Sequence, residues 1–193
     1  MRTALVVGGT GLVGGHLVER LLKSDDYSSI TVLVRKQSFD LSPKLNEKIF
    51  DFKDEKSFTQ IEPHQNVFCC LGTTIKKAGS KERFMKIEHD LPLEISRIAK
   101  EEGCRTMILI SSMGANSKSK NFYSRVKGLL EEALEEIEFE EFHILRPSIL
   151  LGKRSETRPT EYISKLVMDY LSFLLPWKYK PIHASIIKKS LGI

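Results

Sequence analysis

The sequence predicts an α/β fold: a doubly wound parallel sheet with helices on both faces, ending in a small C-terminal helical segment. Three observations lead there. Short apolar, β-branched runs alternate with segments whose apolar residues recur at helical spacing, the pattern of strands joined by crossover helices. A cluster of glycines separates the first such run from the first amphipathic segment. No internal repeat, low-complexity linker or composition break divides the chain before residue 147.

The elements follow in order. Ala4–Val7 is a buried strand, apolar throughout and stopped by glycine. Val13, Leu17, Leu21 and Leu22 mark a helix over Leu12–Leu22. Ile30–Val34 is β-branched and makes the second strand. Lys48–Phe52 is a weaker third, and Asn66–Leu71, ending in Gly72, a fourth. Leu91, Ile95, Ile98 and Ala99 share a helix face over Leu91–Lys100, and Gly103 suits its C-terminal end. Thr106–Ile110 is the fifth strand. Asn121 is placed to cap a helix running to about Ile137. Phe142–Leu145 is the sixth strand, closed by Arg146-Pro147, and a last helix is expected in Glu161–Leu175.

Composition excludes several classes. Thirty basic against twenty-five acidic residues leave a net charge of +5, too balanced for a nucleic-acid-binding chain but compatible with small anionic ligands. Three cysteines, two of them adjacent, make no disulfide framework and point to a reducing compartment. No run reaches the ~20 apolar residues of a membrane span, and Met1-Arg2-Thr3-Ala4 leads straight into a strand without a signal segment. The expected location is cytoplasmic. The seven glutamates between Glu131 and Glu141 read as a solvated helix face. Five histidines show no metal-ligand spacing, so no metal site is expected; His143, in an apolar strand, reads as a core residue. Cys69 and Cys70 read as inert core thiols, and Ser111 lacks the glycines of a nucleophile elbow.

The glycine cluster carries the first chemistry. Gly8-Gly9-Thr10-Gly11-Leu12-Val13-Gly14 contains Gly-x-x-Gly-x-x-Gly between strand and helix. In that context Gly8 and Gly11 allow a tight turn that the backbone of a pyrophosphate site needs, and Gly14 lets helix and sheet pack closely. The free N–H groups around Thr10, Leu12 and Val13, at the positive end of the helix, then face the phosphates. The second strand ends Val34-Arg35-Lys36. An NAD site places an acid there for the ribose 2′-hydroxyl, whereas two cations suit a 2′-phosphate, so NADP(H) is expected over NAD(H). Asp25 and Asp26 precede the strand and cannot serve.

Tyr123-Ser124-Arg125-Val126-Lys127 carries the second. Tyr and Lys four apart share a helix face. An ammonium beside the phenol favours phenolate, and the same Lys127 can hydrogen-bond the nicotinamide ribose. A tyrosine so tuned exchanges a proton with a carbonyl or alcohol. Ser111 and Ser112 end the fifth strand at the carboxyl edge, pointing to opposite sides; Ser111 is the preferred residue to polarise the substrate oxygen.

Together these motifs resemble a short-chain dehydrogenase/reductase of the extended or atypical kind. More narrowly, Phe68-Cys69-Cys70-Leu71-Gly72-Thr73-Thr74, Lys77-Ala78-Gly79, Ser111-Ser112-x-Gly114-Ala115, and Arg146-Pro147 followed by Glu156-Thr157-Arg158-Pro159 resemble the Tat-interactive oxidoreductase family over about residues 1–160. The resemblance implies a Rossmann-type NAD(P)-binding domain over 1–193. It also implies that Leu71, Gly72 and Thr73 line the cofactor, that Asp51 and Phe52 lie near the adenine, that Leu150 approaches the nicotinamide and that Arg158 reaches the cofactor. Tyr123 is then the acid/base and Lys127 its partner. Residues 147–193 form the substrate side in this reading, shortened relative to the family, since the chain ends at Ile193.

Three functions are consistent with these residues. The first is an NADP(H)-dependent oxidoreductase acting on a carbonyl or alcohol through Ser111, Tyr123 and Lys127. The second is an NADPH-binding regulatory or sensor protein, with little turnover, that works through a protein partner. The third is an epimerase or dehydratase of nucleotide sugars.

Overall fold

The computed structural model describes residues 1–52, 55–58, 61–147, 150–151 and 182–183. Strand β1 (Arg2–Val7) leads into helix α1 (Leu12–Lys23), followed by β2 (Tyr27–Val34), β3 (Leu45–Ile49), the short α2 (Glu55–Phe58) and β4 (Asn66–Cys69). Two short helices, α3 (Ile75–Ala78) and α4 (Lys81–Met85), run through a π-helical turn (Lys86–Asp90) into α5 (Leu91–Glu101). Then come β5 (Thr106–Ile110), α6 (Phe122–Glu135) and β6 (Glu141–Leu145), and a two-residue parallel pairing of β7 (Leu150–Leu151) with β8 (Ile182–His183). The predicted helix over Glu161–Leu175 lies outside the described residues.

Six strands form one parallel sheet in the order β3-β2-β1-β4-β5-β6. This is the doubly wound order, with its switch point between β1 and β4. Side-chain alternation divides the core. Leu5, Val7, Val67, Cys69, Met107 and Leu109 pack on one face against Ile95 and Ala99 of α5 and Leu130 and Leu134 of α6. Ala4, Val6, Ile30, Val32, Phe68 and Ile108 pack on the other against Leu17, Val18 and Leu21 of α1. Each strand residue thus faces the layer opposite its neighbour's, and the predicted two-sided sheet is what the chain forms.

Three expectations are corrected. The third strand is Leu45–Ile49, not Lys48–Phe52. It is an edge strand whose extent is set by pairing with Ile30–Val34. The aromatics that suggested the later span act after it: Phe50 is 1% exposed, donates its N–H to the Val34 carbonyl, and packs on Phe52 and Phe58. His143 is exposed rather than a core residue, because β6 is the other edge and His143 faces the solvent beside Glu141. The glutamate run is not wholly solvated: Glu131 is buried on α6 against the Arg146 guanidinium.

Candidate functional site

The site is assembled at the carboxyl ends of β1, β4 and β5. Gly8 follows β1 with φ of +82°, and a Cβ there would lie 2.6 Å from the backbone of Cys70. The turn and the chain leaving β4 are therefore in backbone contact, which only glycine permits. Gly11 N–H bonds the Gly8 carbonyl at 3.0 Å, closing the turn. A Cβ on Gly14 would stand 2.2 Å from that same oxygen. Gly14 therefore lets helix α1 pack on its own turn, a closer reason than helix–sheet packing. Gly11 is the N-cap of α1 and no side chain caps it. The first N–H groups, from Leu12 and Val13 onward, are left to a ligand. Thr10 and Gly11 are exposed beside them.

Arg35 and Lys36 leave β2 exposed, with no carboxylate partner among the described residues. The next residues are held in place: the Ser38 and Phe39 N–H groups both donate to Glu47 Oε1, at 2.8 and 3.1 Å. Asp51 is exposed just past β3, its N–H donating to Ser57 Oγ, and Phe52 is half-buried on Phe50.

Leu71, Gly72 and Thr73 follow β4 after Cys70. Behind them lies a residue that the sequence reading missed. Glu88, 1% exposed, accepts the Thr73 N–H on Oε1 and faces Lys127 Nζ with Oε2 at 2.7 Å. It reaches that position from the π-helical turn. Pro92 has no N–H, and in a regular helix its ring would press on the carbonyl of Glu88, four residues back; the widened turn relieves this and aims Glu88 inward. A proline inside the apolar periodicity, with an acid four residues before it, was the available signal.

Helix α6 is capped as predicted, Asn121 Oδ1 accepting the Ser124 N–H. Tyr123 opens to solvent at 37% exposure, and packs on Phe84 of α4 with centroids 5.8 Å apart. One turn on, Lys127 is 3% exposed. Burial pushes its ammonium toward losing the proton. The Glu88 charge and hydrogen bond outweigh this, with Tyr123 and Cys69 adding in the same sense, so its pKa stands above the ordinary lysine value. Lys127 is thus paired to a carboxylate rather than attending Tyr123 alone.

Ser111 ends β5, 5% exposed, its N–H held by the Leu145 carbonyl. The Oγ atoms of Ser111 and Ser112 are both buried without a hydrogen-bond partner among the described residues. The loop beyond them is fastened to α6: Asn116 N–H donates to Ser124 O, and a Cβ on Gly128 would fall 2.1 Å from Ser117 N. Cys69, fully buried on β4, has its thiol pushed up by desolvation to about 11, and burial raises Cys70 further, which leaves both as inert thiols. The backbone at Leu150 is in β7; its side chain, and Arg158 entirely, lie outside the described residues.

A nicotinamide dinucleotide suits these residues. The N-terminus of α1, which no side chain caps, suits its phosphates, and the buried Ser111 and Ser112 hydroxyls, without a partner among the described residues, suit its polar groups. Among the described residues no helix is long and apolar enough to cross a membrane.

Comparison with known proteins identifies the family and the fold. The sequence model of the NAD dependent epimerase/dehydratase family matches residues 4–178. Protein HTATIP2 of Rattus norvegicus is 32% identical over 168 residues, covering 85% of this chain and 69% of that protein. Protein FMP52, mitochondrial, of Candida glabrata is 37% identical over 158 residues, covering 80% and 66%. Among solved structures, MoeE5 in complex with UDP-glucuronic acid and NAD aligns with a TM-score of 0.71 at 16% identity, covering 98% of this chain and 70% of that one. The UDP-glucose 4-epimerase of Thermotoga maritima with UDP-glucose aligns at 0.65 and 20%, covering 80% of this chain and 58% of that one. These structures share the fold. The chain spans less than two thirds of the epimerase's length. One expectation falls: relatives in Candida glabrata and Emericella nidulans are named mitochondrial, which overturns the cytoplasmic location.

Proposed function

The chain belongs to the NAD dependent epimerase/dehydratase family, among atypical short-chain dehydrogenases related to the Tat-interactive oxidoreductases, and on that premise we propose that it is an NADP(H)-dependent oxidoreductase of a small carbonyl or alcohol. The reading is carried by one observation: Lys127 is a buried ammonium within electrostatic reach of Tyr123, a residue 37% exposed. A phenol hydroxyl so placed, with a buried cation one helical turn away, can exchange a proton with a carbonyl or alcohol oxygen.

Gly8, Thr10, Gly11, Leu12, Val13 and Gly14 would hold the cofactor phosphates, with Arg35 and Lys36 on the 2′-phosphate. Asp51 and Phe52 would flank the adenine, and Leu71, Gly72 and Thr73 the chain's other side. When bound, the nicotinamide supplies or accepts the hydride. Ser111 Oγ, buried and unpartnered, donates to the substrate oxygen. Tyr123 exchanges its hydroxyl proton with that oxygen. Lys127 stays charged throughout, its Nζ held 2.7 Å from Glu88 Oε2. Residues 1–193 act as one binding domain in this reading, with 147–193, including Leu150 and Arg158, on the substrate side.

Calorimetric titration with NADPH and NADH at fixed ionic strength tests it. NADPH should bind more tightly by about tenfold or more, roughly 1.4 kcal/mol, and Arg35→Asp should erase the difference. Failure to bind either nucleotide overturns the reading. The family match also favours a second reading, epimerase or dehydratase chemistry on a nucleotide sugar. That reading expects a tightly retained cofactor and no net oxidation of NADPH when a nucleotide sugar is converted.

A further inference from the structure

We propose that Glu88 is a positioning residue, a single buried carboxylate that ties the chain leaving β4 to Lys127. The segment flanking the cofactor and the amine beside Tyr123 are thereby held as one unit. The proposal rests on the cofactor placement above.

The two oxygens of Glu88 have different work. Oε1 accepts the Thr73 N–H, and Oε2 faces Lys127 Nζ at 2.7 Å. The carboxylate lies against Gly72, where a Cβ would be 3.9 Å from Oε1. With side-chain exposures of 1% for Glu88 and 4% for Lys127, neither charge is answered by water. The other titratable groups that act on Lys127 are Tyr123, one turn back on α6, and Cys69 on β4. The thiol of Cys69 is held protonated by burial, so Glu88 is the carboxylate that balances the ammonium.

A buried ion pair is a weak source of stability, since apolar side chains of the same volume do as well. Keeping one here is of use if the charge of Lys127 is used. Lysine has three donors. The ion pair at 2.7 Å fixes where Nζ sits, and the loop bonded to Oε1 shares that geometry. Glu88 is walled off by Thr73 and Lys127 and acts through them.

Two variants separate charge from reach. Glu88→Gln keeps an acceptor for Thr73 and removes the charge. Glu88→Asp keeps the charge but is one methylene too short to span both partners. Each is labelled with 13Cε-lysine and titrated by NMR, Lys127→Met assigning the signal, and each is titrated with NADPH. In the wild type Lys127 should lose its proton no earlier than the exposed lysines. In Glu88→Gln its midpoint should fall by about one pH unit or more, because burial is then opposed only by Tyr123 and Cys69. In Glu88→Asp the midpoint should stay within that margin while NADPH affinity drops several-fold.

A merely structural Glu88 would lower thermal stability and leave the NADPH affinity of the folded Glu88→Asp variant at the wild-type value. An unmoved midpoint in folded Glu88→Gln overturns the proposal, as does wild-type NADPH affinity in Glu88→Asp. Should Glu88→Gln not fold, the Glu88→Asp measurements decide alone. A wild type that binds no NADPH defeats the cofactor reading by itself, and the Lys127 titration still reports whether Glu88 governs the amine.

Discussion

Arg146 lays its guanidinium along the buried carboxylate of Glu131, with Nη2 2.7 Å from Oε2 and Nε 3.0 and 3.2 Å from the two oxygens. The contact joins the residue just past β6 to the middle of α6, the helix that carries Tyr123 and Lys127. Arg146→Ala leaves Glu131 buried without its cation and should cost about 1–3 kcal/mol in urea denaturation. Arg146→Lys should recover only part, because an ammonium cannot make the two-pronged contact. Equal stability of Arg146→Ala and wild type would remove the pair from the list of contacts that hold α6.

The glycine turn predicts a contrast between glycines. In Gly14→Ala the new Cβ meets the Gly8 carbonyl oxygen at 2.2 Å, backbone that can yield only by opening the turn. NADPH affinity should fall by about tenfold or more, an energy of roughly 1.4 kcal/mol. Gly79 also has positive φ, at +85°, but open space around its Cβ position. Gly79→Ala should cost about 1–2 kcal/mol of backbone strain and leave NADPH binding unchanged. Calorimetry on the two variants, run beside wild type, reads both effects.

Tyr123→Phe removes the proton and keeps the ring against Phe84. Turnover of a confirmed carbonyl or alcohol substrate should drop by about 10²–10⁴, with NADPH affinity within a few-fold of wild type. Lys127→Met should lower turnover and affinity together. Undiminished turnover in Tyr123→Phe would reassign the acid/base.

His64 predicts an acid-sensitive fold. It is buried at 7% exposure, with Nδ1 2.6 Å from the Glu62 carbonyl and Nε2 2.9 Å from Thr31 Oγ1. A carbonyl only accepts, so Nδ1 carries the proton and Nε2 accepts from the Thr31 hydroxyl. Burial holds its pKa below the ordinary 6.5, partly offset by the Glu62 carbonyl. Below that value the unfolded chain binds the proton more readily than the folded one. The stabilisation is therefore complete above pH 6.5 and lost as pH falls through the folded-state value. Thermal unfolding should occur at lower temperature at about pH 5 than at about pH 8, and His64→Gln should narrow that difference. A His64→Gln variant with the same pH dependence as wild type would show that other groups set it.

Much of the scaffold was legible because the signals are local. The apolar run of Ala4–Val7, the helix spacing of Leu17 and Leu21, and the Asn121 cap each depend on residues within a few positions. The glycine turn was legible for the same reason, as was the Tyr123–Lys127 pair, since a four-residue step on a helix guarantees a shared face. The third strand was misplaced by three residues because an edge strand borrows its extent from its partner, and Phe50 and Phe52 were apolar for the core rather than for the sheet.

What the sequence determined by itself is therefore the order of the six sheet strands and the three long helices, the parallel doubly wound sheet, and which residues lie at its carboxyl edge. What only the tertiary structure decided is which charges are buried there and with whom. Glu88 and Lys127 are 39 positions apart in sequence, as their numbers show, and Glu131 reads like its six solvated neighbours until β6 brings Arg146 beside it. Periodicity reports a residue's face on its own element. Whether a charge on that face meets water or a counter-charge depends on what the fold lays across it, and burial makes that difference large.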